Sequence, residues 1–186
     1  MAHKVKPVKV QRLAAEDVAI GELFTLNGVQ YVKLSDYDDT ISCSRVVGIL
    51  ATTVLPLCTF DSVHCIKNKK SVENRAVDMF MSAIADIECD GNIITYGMPD
   101  ADDLRQFGSV MEHYIKDVWY VDNGVNDSLS DGEYFYVDED CNLNKGNEYD
   151  EREDGVSRRL GLRALYSIDP DAIVTIKVNQ KNKFGV

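Results

Sequence analysis

Leu23-Phe24-Thr25-Leu26-Asn27-Gly28-Val29-Gln30-Tyr31-Val32-Lys33-Leu34 is the stretch on which the fold class turns. Two short apolar and aromatic runs flank Asn27-Gly28. That pair is the strongest two-residue hairpin signal, because a type I′ turn needs positive φ at both central residues and Asn-Gly supplies it at least cost. The stretch therefore predicts two antiparallel strands. Ser35-Asp36-Tyr37-Asp38-Asp39 follows as a polar turn, and Thr40 to Leu50 reads as a third strand completing a meander. Asp36, Asp38 and Asp39 could be imagined as calcium ligands, but a turn rich in Asp explains them without a metal.

Beyond the meander the apolar spacing changes from two to between three and four. Val72, Ala76, Val77, Phe80, Met81, Ile84 and Ile87 fall on one helical stripe, with Ser71 placed to cap its start. A second helix is predicted to begin at Pro99. Asp100, Asp102 and Asp103 would complement the positive end of its dipole, and Leu104, Phe107 and Met111 would face inward. Short strands then return at Val118 to Val121, Glu133 to Val137, Leu160 to Ile168 and Ala172 to Val178. Strands, helix, helix, strands is the order of an α+β domain in which two helices pack on antiparallel sheets.

At 186 residues, with 45% hydrophobic and 27% charged positions, one sizeable core is expected. The most apolar stretch, Val46 to Leu57, is broken by Thr52, Thr53 and Pro56, and no signal-peptide pattern opens the chain, so no membrane association is expected. The five cysteines, Cys43, Cys58, Cys65, Cys89 and Cys141, include no C-x-x-C pair and read as reduced, buried thiols. His3, His64 and His113 fall in different predicted elements, so no metal site is expected. Phosphate-cradling, nucleophile-elbow and zinc-protease motifs are absent. No catalytic residue and no cofactor is therefore assigned.

Charge is unevenly distributed. The net value is -11, which argues against nucleic acid as a general partner. Yet Lys4, Lys6, Lys9 and Arg12 occupy the first dozen residues with no acid among them, and Lys177, Lys181 and Lys183 the last ten. Between these ends, Asp131 to Asp154 sets many carboxylates against Lys145 and Arg152 only, as a solvated loop or face would. Val alternates with Lys around Pro7, which suits an extended arm over residues 1–21, ahead of one domain over 22–178 and a basic tail over 179–186.

Several pieces, taken in order, resemble the small C-type-lectin-like domains of bacterial and phage proteins, related in fold to the formylglycine-generating enzyme. They are Cys58-Thr59-Phe60-Asp61, the helix after Ser71, Gly97-Met98-Pro99-Asp100-Ala101-Asp102-Asp103-Leu104, and Asp117-Val118-Trp119-Tyr120. Glu133-Tyr134-Phe135-Tyr136-Val137-Asp138-Glu139-Asp140 and Leu160-Gly161-Leu162-Arg163-Ala164-Leu165 complete the series, which spans Glu22 to Val178. Ala164 stands where that family usually has Pro, and the cysteine pair of its copper-dependent oxidases is not recognisable. Its calcium-binding sugar motifs are also missing. Trp119 is followed by Tyr120-Val121-Asp122-Asn123, a loose echo, and reads as a core aromatic.

With the arm and the charge layout, the resemblance implies a non-enzymatic phage virion structural protein, a capsid decoration or accessory subunit. Lys4, Lys6, Pro7, Lys9 and Arg12 would anchor it to capsid or tail subunits, within a homo-oligomer or lattice. An alternative is a host-surface recognition module, adhesin-like or glycan-binding, that uses Tyr120, Asp122, Asn123, Tyr134 and Tyr136. The acidic body also admits an intracellular inhibitor that mimics nucleic acid.

Overall fold

The computed structural model describes residues 9–36, 47–51, 60–61, 70–84, 91–124, 129–154 and 157–178. The predicted hairpin forms, with β2 (Leu23–Leu26) pairing antiparallel to β3 (Val29–Ser35) and Leu26 opposite Val29. Asn27 and Gly28 take φ of 49° and 85°, the conformation that the turn demands. β4 (Val47–Ala51) pairs with β3 and completes the meander; the rest of the expected third strand lies outside the described residues.

Four further strands extend this meander into a seven-stranded sheet: β12 (Ile173–Lys177) and β1 (Val10–Ala14) beyond β2, and β11 (Leu165–Ile168) and β6 (Ile93–Gly97) beyond β4. The order is β1-β12-β2-β3-β4-β11-β6, and every neighbouring pair is antiparallel. β7 (Trp119–Val121), β8 (Glu133–Val137) and β9 (Leu143–Asn147) form a second sheet; β5 (Phe60–Asp61) pairs with β10 (Arg159–Leu160).

Both faces of the large sheet are covered. On one, Phe24, Leu26, Tyr31, Tyr166, Ile168 and Val174 pack with α1 (Val72–Ile84), whose Val72, Ala76, Phe80 and Ile84 repeat every four residues and are all buried. On the other, Val32 and Leu34 meet α2 (Ala101–Tyr114) through Leu104 and Met111, together with Trp119, Val121, Phe135 and Val137. Each large side chain fully buried in this way contributes about 1.5–3 kcal/mol. The helix starts follow cap chemistry. Asn74 N–H donates to Ser71 Oγ at 3.1 Å, so Ser71 caps α1 as expected. Asp100 accepts from the N–H groups of Asp102 and Asp103, while Asp103 accepts from that of Asp100. This reciprocal box moves the start of α2 to Ala101, two residues beyond Pro99, and engages Asp100 and Asp103 without a metal.

The class is α+β with antiparallel sheets, and four expectations need correction. A third helix, α3 (Glu148–Asp154), lies inside the acidic block read as solvated, and Glu148 and Glu151 on it are buried. Leu160 to Ile168 is two strands, not one, because the chain turns through buried Leu162, Arg163 and Ala164 to serve two sheets. Val10 to Ala14 is no free arm, since it pairs along its whole length with β12. The segment after it is also fixed. Lys33, fully buried, donates to the carbonyls of Ala15, Glu16 and Val18 and pairs with Asp36 Oδ1 at 2.5 Å, so a strand lysine clamps the 3₁₀ turn Ala15–Asp17.

Candidate functional site

Among the described residues, two places concentrate charge. The first is the corner where its ends meet. Period-two alternation in Val10-Gln11-Arg12-Leu13-Ala14 and in Ile173-Val174-Thr175-Ile176-Lys177 turns one side of each strand inward: Leu13, Val174 and Ile176 pack on the core. The opposite side carries Val10, Arg12, Thr175 and Lys177, with Val10 facing Lys177 and Arg12 facing Thr175. Val178 N–H donates to the Lys9 carbonyl at 2.9 Å, so the two chain ends run side by side. Lys9, Arg12 and Lys177 are all exposed here. Cations from opposite ends of the sequence thus share one corner of an otherwise acidic protein.

The second is a concave pocket of about 380 Å³ lined by Glu133, Lys145, Gly146, Asn147, Asp150, Glu151 and Arg158. Glu151, only 4% exposed, accepts from the Tyr134 hydroxyl and from Arg158 Nη1, the latter at 2.7 Å. Arg158 also lies over the Tyr136 ring, 4.8 Å from its centre. Lys145 sits 5.4 Å from the centre of the Phe135 ring and 3.6 Å from Glu133. A hydrogen bond from Ser130 N–H, with Lys145 nearby, holds the Glu133 carboxyl below its usual range. Gly146 permits the packing, because a Cβ there would run into the Tyr134 ring. The contacts of Glu151, Arg158, Lys145 and Glu133 brace β8, β9, α3 and the approach to β10.

The structure separates the residues that sequence reading grouped as a recognition surface. Tyr120 and Tyr134 are buried, not exposed, because alternation on β7 and β8 turns them into the core shared with α1. Burial pushes both phenol pKa values up. Tyr136 is half-buried beneath Arg158. Asp122 and Asn123 are half-buried beside the start of α2, where Asp122 N–H donates to the Pro99 carbonyl at 2.9 Å and burial raises the Asp122 carboxyl. Trp119 is fully buried, as a core aromatic should be. Of the residues expected from sequence to anchor the chain, Lys9 and Arg12 stand at the corner; Lys4, Lys6 and Pro7 lie outside the described residues.

His113 is exposed and packs edge-on against Tyr114, whereas His3, His64, Asp38, Asp39 and every cysteine except Cys141 lie outside the described residues. Among the described residues no group of His, Cys, Asp or Glu is arranged to hold a metal ion, and no helix is long and apolar enough to cross a membrane. Sequence reading missed Glu148, Glu151 and Arg158 as placed groups. The one signal was the three-residue spacing of Glu148 and Glu151, which puts both on one face of a helix. Comparison with known proteins returns no match, whether with family models, curated proteins or solved structures.

Proposed function

We propose that this chain is a non-enzymatic structural subunit of a phage particle, a decoration or accessory protein of C-type-lectin-like architecture. It docks on a larger assembly through the corner where its two basic ends meet. The observation that carries this reading is the pairing of β1 with β12, which sets Lys9 and Arg12 beside Lys177 on a chain whose net charge is -11. Such a layout orients the molecule: the corner is attracted to a negative surface and the acidic remainder is turned away from it. Repetition in a lattice multiplies the effect, because many modest contacts add. The resemblance is supported by element order. A strand runs into a capped helix at Asp100, a Trp-bearing strand follows, and then a hairpin over Glu133 to Asn147.

Charge reversal at the ends tests the docking without touching the sheet, since Lys4, Lys6, Lys181 and Lys183 lie outside β1 and β12. The variant Lys4→Glu, Lys6→Glu, Lys181→Glu, Lys183→Glu is expected to keep its circular dichroism and melting temperature. It should be lost from purified particles in which the unaltered chain is incorporated. Undiminished incorporation would refute docking through the ends.

A further inference from the structure

We infer that the outer edge of β1 receives an added β-strand from a partner, and that the strand it selects is an extended segment carrying a carboxylate. Among the described residues β1 has a neighbour on one side only, β12. Backbone direction follows from two bonds: Val178 N–H donates to the Lys9 carbonyl, and Ala15 N–H to that of Ala172. In an antiparallel ladder the residues that face a given neighbour alternate, so Lys9, Gln11, Leu13 and Ala15 address β12. Val10, Arg12 and Ala14 therefore turn their N–H and C=O groups outward, a template for a further strand.

The side chains above that edge state the partner's chemistry. Val10 is 62% exposed and Ile173, across from Ala14, is 54% exposed, so apolar surface lies at both ends of the strand. Between them stands exposed Arg12, with Lys9 and Lys177 nearby. A strand laid beside β1 would gain from an apolar residue next to Val10 and a carboxylate next to Arg12, cross-strand pairs that contribute about 0.2–1 kcal/mol each. The same charges act against β1 pairing with β1 of a second copy, because like cations would be brought together. The edge is thereby closed to its own kind and open to an acidic strand.

Amide exchange on the full chain tests this with two short blocked peptides, one alternating glutamate with valine and one alternating lysine with valine. The glutamate peptide is expected to slow exchange of the Val10, Arg12 and Ala14 amides by about tenfold or more, while the lysine peptide leaves them unchanged. Arg12→Glu should exchange the two preferences. Arg12→Pro removes an outward donor but no bond to β12, so Val10 and Ala14 should lose protection with the melting temperature retained. Equal protection by both peptides, or none by either, overturns the inference. It rests on reading this corner as the docking point, yet the assay needs no particle. Protection without incorporation sinks the docking alone, and incorporation without protection sinks the strand addition alone.

Discussion

Asp103 shows how a single carboxyl can serve a helix and still burden the fold. Its side chain closes the capping box by accepting from Asp100 N–H, but burial, opposed by that hydrogen bond and reinforced by the charges of Asp100 and Asp102, lifts its pKa from 3.8 to about 6. A carboxyl whose folded pKa is raised binds its proton more tightly in the folded state. Its contribution to stability is therefore most favourable below pH 4, and falls as pH rises from about 4 to about 6. Solvent screening leaves a penalty of about 1 kcal/mol at neutral pH. Asp103→Asn keeps the acceptor for Asp100 and should be more stable by about that amount at pH 7.5 and equal to the parent near pH 4. Urea midpoints measured at the two pH values check it; equal gains at both would contradict the assignment. Legibility at this scale depended on locality. Asp100 and Asp103 were readable as helix-start residues because cap and partner are three positions apart, as were Asn27 and Gly28. Lys33 was not, because the carbonyls that satisfy its ammonium belong to a turn fifteen or more residues earlier.

At the scale of elements, α3 is the piece with the most unusual support. It is short and crowded with acids, so it gains little from intrinsic propensity, and its position rests on two buried carboxylates. Glu148 accepts from Val72 N–H at 3.3 Å, at the open start of α1, and Glu151 holds Tyr134 and Arg158. Removing Glu151 takes the acceptor from the Tyr134 hydroxyl and loosens Arg158. Glu151→Ala is therefore expected to cost about 1–3 kcal/mol, with Glu151→Gln costing less because an acceptor survives. The shift in urea midpoint at unchanged slope is the measurement, and an unshifted midpoint for Glu151→Ala would sink the argument. The acidic run looked solvated from sequence because its partners, Val72, Tyr134 and Arg158, are scattered along the chain. β1 was read as extended, which it is, but its partner β12 sits at the other end of the sequence, where no periodicity could point to it.

For the whole molecule, the governing fact is that one sheet supports two cores. The small sheet contributes to both: Tyr120 and Tyr134 pack with the α1 side, while Trp119, Val121, Phe135 and Val137 pack with the α2 side. Neither layer can open without exposing the other. Emission from the single tryptophan, Trp119, should therefore change at the same denaturant concentration as the circular dichroism of the sheets and helices. Two separated transitions would show that the cores are independent. Class and the placement of α1 and α2 were legible because they follow from period and caps; α3 and strand order were not, since they depend on contacts between remote segments.

The pairing of β1 with β12 also fixes how the molecule responds to tension. Because Lys9 and Val178 are bonded neighbours, a load applied between the two ends pulls across the rungs of that ladder and not along it. The bonds then fail one after another, like a zip, and the protein yields gently when stretched between its own tails. A subunit gripped by both tails together carries the load in parallel and is spared that peeling.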